Sequence, residues 1–248
     1  MLLIALAIAP GVAVCLFIYS LQRLGAASTR YLVTAFVLGA AATLPALAVQ
    51  LLSVDVRNEP WRHSILSYIW YAFGVVAFSE EGSKFLVLRF YAYPKKVFRE
   101  PFDGVIYCVM IGMGFATVEN IEYVLQFGFE TGVSRFFLAI PAHASFAVLM
   151  GYPVGRAKFE KQNALGLMLK GLGIAVLFHG SFDFFLFLQQ NREATKYLST
   201  GVLSFGAFAT FYTAVRLAMR ALRLHRNRRE EEAEENQQLN YTQREKDG

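Results

Sequence analysis

Long apolar runs separated by short polar stretches dominate this sequence and restrict what it can fold into. There are seven, at Leu2–Leu21, Tyr31–Leu52, Ile65–Phe90, Phe102–Leu125, Phe136–Pro153, Ala164–Leu188 and Tyr197–Met219. A helix of about 20 apolar residues crosses the hydrocarbon core of a bilayer. Only 17% of the residues are charged, against about 25% in a typical soluble domain. The chain is therefore predicted to be an all-α, polytopic transmembrane helix bundle with about seven spans.

The third run leaves the number of spans open between six and eight. Its second half is amphipathic, so Ile65–Phe90 is either one tilted helix or a span followed by a surface helix. The first run is expected to be a retained helix and not a cleaved signal peptide, because no Lys or Arg precedes it. Cys15 and Cys108 both stand in apolar runs, which predicts small core residues and not a disulfide or a metal pair.

Basic residues predict the orientation, because positively charged loops tend to stay in the cytoplasm. Residues 89–99, residues 156–161 and the segment from residue 216 on are rich in Lys and Arg, and all three fall on one side of a seven-span bundle. The opposite side carries Asp55, Glu59, Glu130 and Glu193. We therefore expect a multi-pass protein of the cell membrane with its N-terminus outside and its C-terminus in the cytoplasm.

The composition changes sharply near the C-terminus. Residues 1–222 are predicted to form the transmembrane domain, and residues 223–248 a charged cytoplasmic tail. In this tail a basic stretch, residues 226–229, is followed by an acidic one, residues 230–235. So few apolar residues cannot offset the entropy of ordering the chain, which predicts disorder. The basic part is expected to lie on anionic headgroups.

Ionisable residues inside the apolar runs are the strongest indication of function. A charge at the bilayer centre costs at least about 2.5–3.5 kcal/mol on insertion scales. Four successive runs nevertheless contain such residues: Glu80, Glu81 and Lys84; Glu119; His143; and His179 with Asp183. At a rise of about 1.5 Å per residue, Glu80, Glu119, His143 and His179 fall within about 10 Å of the membrane midplane. Four helices are thus predicted to bring ionisable groups into one layer.

Structural explanations exist for these residues taken one at a time. Glu80 and Glu81 with Lys84 could form a salt bridge at the membrane surface, since the three share a helix face. His179 and Asp183, four residues apart, could be a helix-stabilising pair. Their joint occurrence favours a common site instead. Glycines in the fourth and sixth runs are expected to permit close helix packing: Gly112, Gly114, Gly171, Gly173 and Gly180.

The chemistry available to such a cluster is hydrolysis by an activated water. A carboxylate close to a second one in a low dielectric can act as a general base and then as a general acid near neutral pH. An imidazole beside it can donate to a developing oxyanion. Zinc is an open alternative, since Glu and His bind it, although the HExxH helix motif is absent. No Ser or Cys stands in a nucleophile motif.

The motifs resemble those of the PrsW family of glutamic intramembrane proteases. The matching pattern is Glu80-Glu81-x-x-Lys84, Phe115-x-x-x-Glu119-Asn120, His143 and His179-x-x-x-Asp183, in this order on successive runs. In the related CAAX prenyl protease and abortive-infection proteins the pattern reads Glu-Glu-x-x-x-Arg, Phe-x-x-x-His and His-x-x-x-Asn/Asp. Lys84 and Glu119 depart from this pattern and match the PrsW version. The resemblance extends from about Phe73 to Phe185.

The resemblance implies a metal-independent endopeptidase that needs no cofactor. Glu80 would be the base that activates water, Glu81 would support it, and Glu119 would share the water or its proton. His179, oriented by Asp183, would stabilise the tetrahedral oxyanion.

The remaining members of the pattern have less defined roles. Lys84 would balance the charge of the carboxylates, and His143 is a further candidate without an assigned role. The implied substrate is a single-pass membrane protein in the lipid bilayer, of the kind represented by an anti-sigma factor that is cut first on its extracytoplasmic side. No nucleic-acid partner is expected.

Other classes of protein stay open from sequence alone. Intramembrane Glu, Asp and His residues also relay protons, so a proton- or cation-coupled transporter is the main alternative. A zinc-dependent membrane protease is a second. A non-catalytic scaffold, in which the polar cluster only specifies helix packing, is a third.

Overall fold

The protein is an all-α helix bundle. The computed structural model describes residues 2–21, 29–53, 64–192 and 194–247, and these residues contain helices and no strand. The predicted orientation relied in part on Asp55, Glu59 and Glu193. These three residues lie outside the described residues. The described parts of the chain contain eleven α-helices: α1 Leu2–Ser20, α2 Thr29–Ala41, α3 Thr43–Leu52, α4 Ile65–Ile69, α5 Phe78–Val87, α6 Pro101–Phe127, α7 Phe129–Phe137, α8 Ala139–Ala157, α9 Ala164–Leu188, α10 Ala194–Tyr197 and α11 Thr200–Asp247.

Six helical segments of the described chain are long and apolar enough to cross a membrane. They are Leu3–Ser20, Thr29–Leu52, Pro101–Phe127, Phe129–Ala157, Lys161–Leu188 and Thr200–Asn227. A seventh continuous helical stretch runs from α4 through α5 and carries the charged Glu80-Glu81-x-x-Lys84 motif. It includes two π-helical segments, Trp70–Ala77 before α5 and Leu88–Ala92 after it. The predicted polytopic bundle of about seven spans is confirmed.

Helix α6 forms the centre of the bundle. Its residues from Phe102 to Thr117 are all buried, and it packs against α1, α2 and α8. The helix begins with a capping box, in which the Asp103 carboxylate accepts from the backbone N–H of Glu100, and with Pro101 in the first turn. Both features favour a helix start. It ends at Gly128, whose φ of 84° suits a residue without a Cβ.

Small residues allow α6 to approach its neighbours closely. A Cβ added to Gly114 would meet the carbonyl oxygen of Phe36 on α2. A Cβ added to Gly112 would lie 3.1 Å from the Cβ of Ala147 on α8. In α9, Gly171 and Gly180 are equally close to neighbouring helices. The packing role predicted for these four glycines is confirmed.

Gly173 does not share this role. It is exposed, and no heavy atom of a neighbouring element lies within 4 Å of an added Cβ. The prediction of close packing at this position was wrong, because Gly173 lies on the outward face of α9, two residues from the inward-facing Gly171.

The two cysteines have no covalent partner. Both are free; Cys108 is buried in the core and Cys15 is partly buried.

Helix α11 continues through the charged segment to Asp247. The domain boundary at residue 222 and the disorder of residues 223–248 remain predictions.

Candidate active site

The predicted site residues come together inside the bundle. Glu80, Glu81, Lys84, His143 and His179 are all buried, and the surrounding helices α5, α6, α8 and α9 pack on one another. Glu80 and Glu81 do pair with Lys84, but inside the bundle and not as an exposed salt bridge on the helix surface. The ionisable groups from four successive segments do meet, as the sequence predicts.

Glu81 is the most tightly held carboxylate. Its side chain is 1% exposed. Oε1 accepts a hydrogen bond of 2.8 Å from Nζ of Lys84 and lies 2.8 Å from Nδ1 of His179. The other nitrogen of His179, Nε2, lies 3.2 Å from Oδ2 of Asp183. Glu81 and Asp183 therefore hold the imidazole of His179 at both of its nitrogens.

Glu80 has looser contacts than its neighbour. Its Oε1 accepts a 3.2 Å hydrogen bond from Nε2 of Gln50 on α3. Its Oε2 lies 3.5 Å from Nζ of Lys84 and 3.9 Å from Nε2 of His179. A carboxylate held at these longer distances is available to a water molecule, whereas Glu81 is not.

His143 links Lys84 to Glu119. Its Nδ1 lies 3.4 Å from Nζ of Lys84, and its Nε2 lies 2.9 Å from Oε2 of Glu119. An ammonium group can only donate, so Nδ1 is the acceptor and Nε2 carries the hydrogen that is donated to Glu119. The ring also lies edge-on to that of His179, with 5.3 Å between centroids. The sequence suggests no role for His143, and the structure places it between Lys84 and Glu119.

Two residues that contact the glutamates of the site were not among the candidates predicted from the sequence. Arg135 on α7 places Nη2 3.1 Å from Oε2 of Glu119. Gln50, as described, donates to Glu80. The signal for Gln50 was a polar side chain within an apolar run, and the signal for Arg135 was an arginine directly before one.

A cavity of about 690 Å³ opens beside these groups. Five of the predicted residues line it, namely Glu80, Glu119, His143, His179 and Asp183, together with Gln50 and Arg135. Glu81 and Lys84 are not among the lining residues and lie behind Glu80. Much of the remaining wall is apolar, with side chains such as Phe115, Phe146 and Phe182.

The residue types at the centre are also those that bind metals. One donor atom from each of Glu80, Glu81, His143 and His179 lies within 4.8 Å of the others, and carboxylates and imidazoles are ordinary zinc ligands. Lys84, however, contacts three of these four side chains through Nζ. An ammonium and a divalent cation repel each other and compete for the same donors. With Lys84 in this position the set does not fit a divalent ion.

The fold and the site define a class: helical membrane proteins with carboxylates, imidazoles and an ammonium buried between their helices. Such a centre occurs both in intramembrane enzymes and in ion-coupled transporters. Comparison with known proteins separates the two. Residues 27–221 match the family described as "PrsW family intramembrane metalloprotease". The chain belongs to the PrsW family of intramembrane proteases.

Individual relatives support the assignment. The protein named Protease PrsW from Shouchella clausii is 32% identical over 184 residues, which is 74% of this chain and 83% of the relative. Protease PrsW from Halalkalibacterium halodurans is 32% identical over 186 residues, with 75% and 84% covered. Protease PrsW from Bacillus subtilis is 30% identical over 185 residues, with 74% and 82% covered. No solved structure matches the chain.

Proposed function

We propose that this protein is a glutamate-dependent intramembrane protease that hydrolyses a peptide bond of a membrane-anchored protein without a metal ion. The supporting observation is the shared cavity. Glu80, Glu119, His179 and Asp183 line one space, inside a bundle whose helices are long enough to span a bilayer. Carboxylates and imidazoles are thereby available together to a water molecule and a peptide.

The proposed reaction uses Glu80 as base and then as acid. Glu80 removes a proton from a water molecule, and the oxygen of that water bonds to the scissile carbonyl carbon. The protonated Glu80 then gives the proton to the peptide nitrogen as the carbon–nitrogen bond breaks. The products are a carboxylic acid and an amine, so one water is consumed and Glu80 is regenerated. Positioned acid–base groups of this kind contribute about 10²–10⁴-fold to a rate.

The other residues have roles around this step. Nε2 of His179 lies near both Asp183 and Glu80, so its N–H is the proposed donor to the tetrahedral oxyanion. Glu119 faces the cavity and is proposed to share the water or its proton. Glu81 fixes His179 and Lys84, and Lys84 balances the buried carboxylates. Lys84 is also the reason for proposing a metal-independent reaction, although the family description contains the word metalloprotease.

The position of the cavity supports an extracytoplasmic cut. Its lining comes from the length of α3, from the second halves of α6 and α9 and from the starts of α8 and α11. For α6, α8, α9 and α11, these parts lie at the end of the bundle away from the basic segments. By the positive-inside rule this end faces outward. Leu44 and Phe208 line the cavity and are also exposed, so it reaches the lipid-facing surface. These features favour a single-pass substrate of the anti-sigma-factor type, in a protein with its N-terminus outside and its C-terminus in the cytoplasm.

The test is cleavage in proteoliposomes. The purified protein is reconstituted with a panel of fluorescently tagged single-pass membrane proteins that includes an anti-sigma factor, and the member that is cut becomes the reporter. Glu80→Gln and Glu119→Gln are expected to lower kcat at least about 100-fold. Glu160→Gln is the matched control, since Glu160 is exposed and pairs only with Arg156. No cleavage of any member by the unaltered protein, or full cleavage by both variants, would contradict the proposal.

A chelator separates the two hydrolytic mechanisms. Cleavage after exhaustive treatment with a chelator is expected to continue at the original rate, and metal analysis of the purified protein is expected to find less than one equivalent of zinc. Loss of activity that zinc restores would overturn the metal-independent mechanism and leave the protease assignment standing.

A further inference from the structure

Arg135 is a partly buried cation beside the proposed centre that neither the motifs nor the family assignment accounts for. It lies near the end of α7, the short helix between α6 and α8, and its side chain is 13% exposed. Three groups surround the guanidinium. Nη2 lies 3.1 Å from Oε2 of Glu119, Nε donates a 2.6 Å hydrogen bond to Oδ1 of Asn120, and the ring centroid of Tyr123 lies 4.1 Å away.

Asn120 fixes the direction of this arginine. It is fully buried, and its Nδ2 donates a 3.2 Å hydrogen bond to the backbone carbonyl of Ala7 on α1. The donor end of the amide is thus occupied, which leaves Oδ1 to accept from Arg135. Helix α7 is held from the same side, because Gly132 packs against the side chains of Leu6 and Val124. Contacts to α1 and α6 therefore preorganise the guanidinium.

The consequence is a defined orientation of the Glu119 carboxylate. Its Oε2 is shared between Nη2 of Arg135 and Nε2 of His143, at 3.1 and 2.9 Å. Its Oε1 makes no hydrogen bond with any described residue, and Glu119 lines the cavity. One oxygen is thus held by an ion pair with Arg135 and a hydrogen bond with His143, while the other faces the cavity.

We infer that Arg135 is a positioning residue of the site: together with Asn120 it holds Glu119 so that one carboxylate oxygen serves the reaction. The inference rests on the proposed protease function, in which Glu119 shares the water. Helix α7 thereby becomes part of the active site, and the link from Asn120 to Ala7 makes the site depend on α1. A displacement of about 1 Å at a reacting group can cost 10²-fold in rate.

The experiment compares kinetic constants on the same proteoliposome reporter. Arg135→Gln is expected to lower kcat about 100-fold with KM changed by less than about threefold, because the substrate still binds while Glu119 is misplaced. Arg135→Lys is expected to recover part of the loss, since an ammonium keeps the charge near Glu119 but loses the fixed fork that reaches Asn120. Arg156→Gln is the matched control: Arg156 forms two hydrogen bonds to Glu160 at 2.7 and 2.9 Å, away from the cavity.

Asn120→Ala provides a second variant that leaves Glu119 and the arginine charge in place. It is expected to lower kcat without raising KM, and to add little to the loss already caused by Arg135→Gln. An unaltered kcat in Arg135→Gln, or in Asn120→Ala if the arginine variant does not fold, overturns the inference. Such a result leaves the protease proposal intact as long as Glu80→Gln is inactive. Equal losses in Arg156→Gln and Arg135→Gln would also overturn it.

Discussion

At the scale of single residues, adjacent glutamates have different surroundings. Glu81 is held at 2.8 Å by both Lys84 and His179 and does not line the cavity. Glu80 lines the cavity, and its contacts with Gln50, Lys84 and His179 are 3.2, 3.5 and 3.9 Å long. Neighbours on a helix point about 100° apart, so one can face a cavity while the other faces the interior. The proposed division between base and support follows from this difference.

Lys84 is the residue whose removal tests the charge balance of the site. Lys84→Met is expected to destabilise the fold by about 3–5 kcal/mol, because it leaves buried carboxylates without their partner. Adding Glu81→Gln in the same chain is expected to recover much of this loss, because both partners of the 2.8 Å pair are then neutral. Thermal unfolding in detergent measures both effects.

The control for this prediction is another lysine of an apolar run. Lys170 in α9 is exposed, so Lys170→Met is expected to change the unfolding temperature little. An unchanged unfolding temperature in Lys84→Met would mean that a different cation balances the carboxylates.

The sequence predicts which charged residues form the site better than it predicts the neighbouring side chains that contact them. Charged side chains in apolar runs are conspicuous, so Glu80, Glu119 and His179 could be selected without coordinates. Gln50 is uncharged, and Arg135 directly precedes the predicted span Phe136–Pro153, where an arginine is ordinary. Their contacts with the glutamates depend on how α3 and α7 pack, which sequence periodicity does not specify.

At the scale of helices, the third span departs most from the regular α-helix that its sequence predicts. Its charged segment Phe78–Val87 lies between two π-helical stretches, Trp70–Ala77 and Leu88–Ala92. A π-turn contains an extra residue and so rotates everything that follows it on the helix. Amphipathicity in this run was visible from sequence, but the π-helical stretches were not, because apolar residues around them satisfy either register.

Helix breaks were also difficult to predict. The second apolar run, Tyr31–Leu52, was expected to be one helix, and the structure separates it at Ala42 into α2 and α3. Pro45 stands close to this point, and a proline removes one backbone N–H from the helix ladder. The separation matters for the site, because α3 contributes the Gln50 contact to Glu80.

Close helix packing gives a prediction with an internal control. Gly114→Ala is expected to destabilise the bundle by about 1–3 kcal/mol, since the added methyl group would overlap the backbone of α2 at Phe36. Gly173→Ala is expected to be neutral or to stabilise by up to about 1 kcal/mol, because it gains helix propensity in open space. Unfolding in detergent compares the two, and equal behaviour would contradict the packing of α2 on α6.

At the scale of the whole molecule, polarity is arranged in the opposite way to a soluble protein. Large apolar side chains such as Leu52, Leu66 and Phe205 are among the most exposed, while Glu81, Lys84 and His179 are buried. Lipid as the solvent explains both observations, because apolar surfaces are stable there and charges need partners inside. Composition alone predicts lipid as the solvent, and the positions of charged residues within apolar runs predict the charges inside the bundle.

The orientation of the bundle leads to the last prediction. In a background of Cys15→Ala and Cys108→Ala, Glu130→Cys on α7 and Lys96→Cys before α6 introduce single thiols at exposed positions on opposite ends of the bundle. Because the basic segments are expected to stay in the cytoplasm, a membrane-impermeant maleimide should label Glu130→Cys in intact cells and Lys96→Cys only after permeabilisation. The reverse pattern would place the cavity mouth on the cytoplasmic side, and the proposed substrate would then have to be cut from inside the cell.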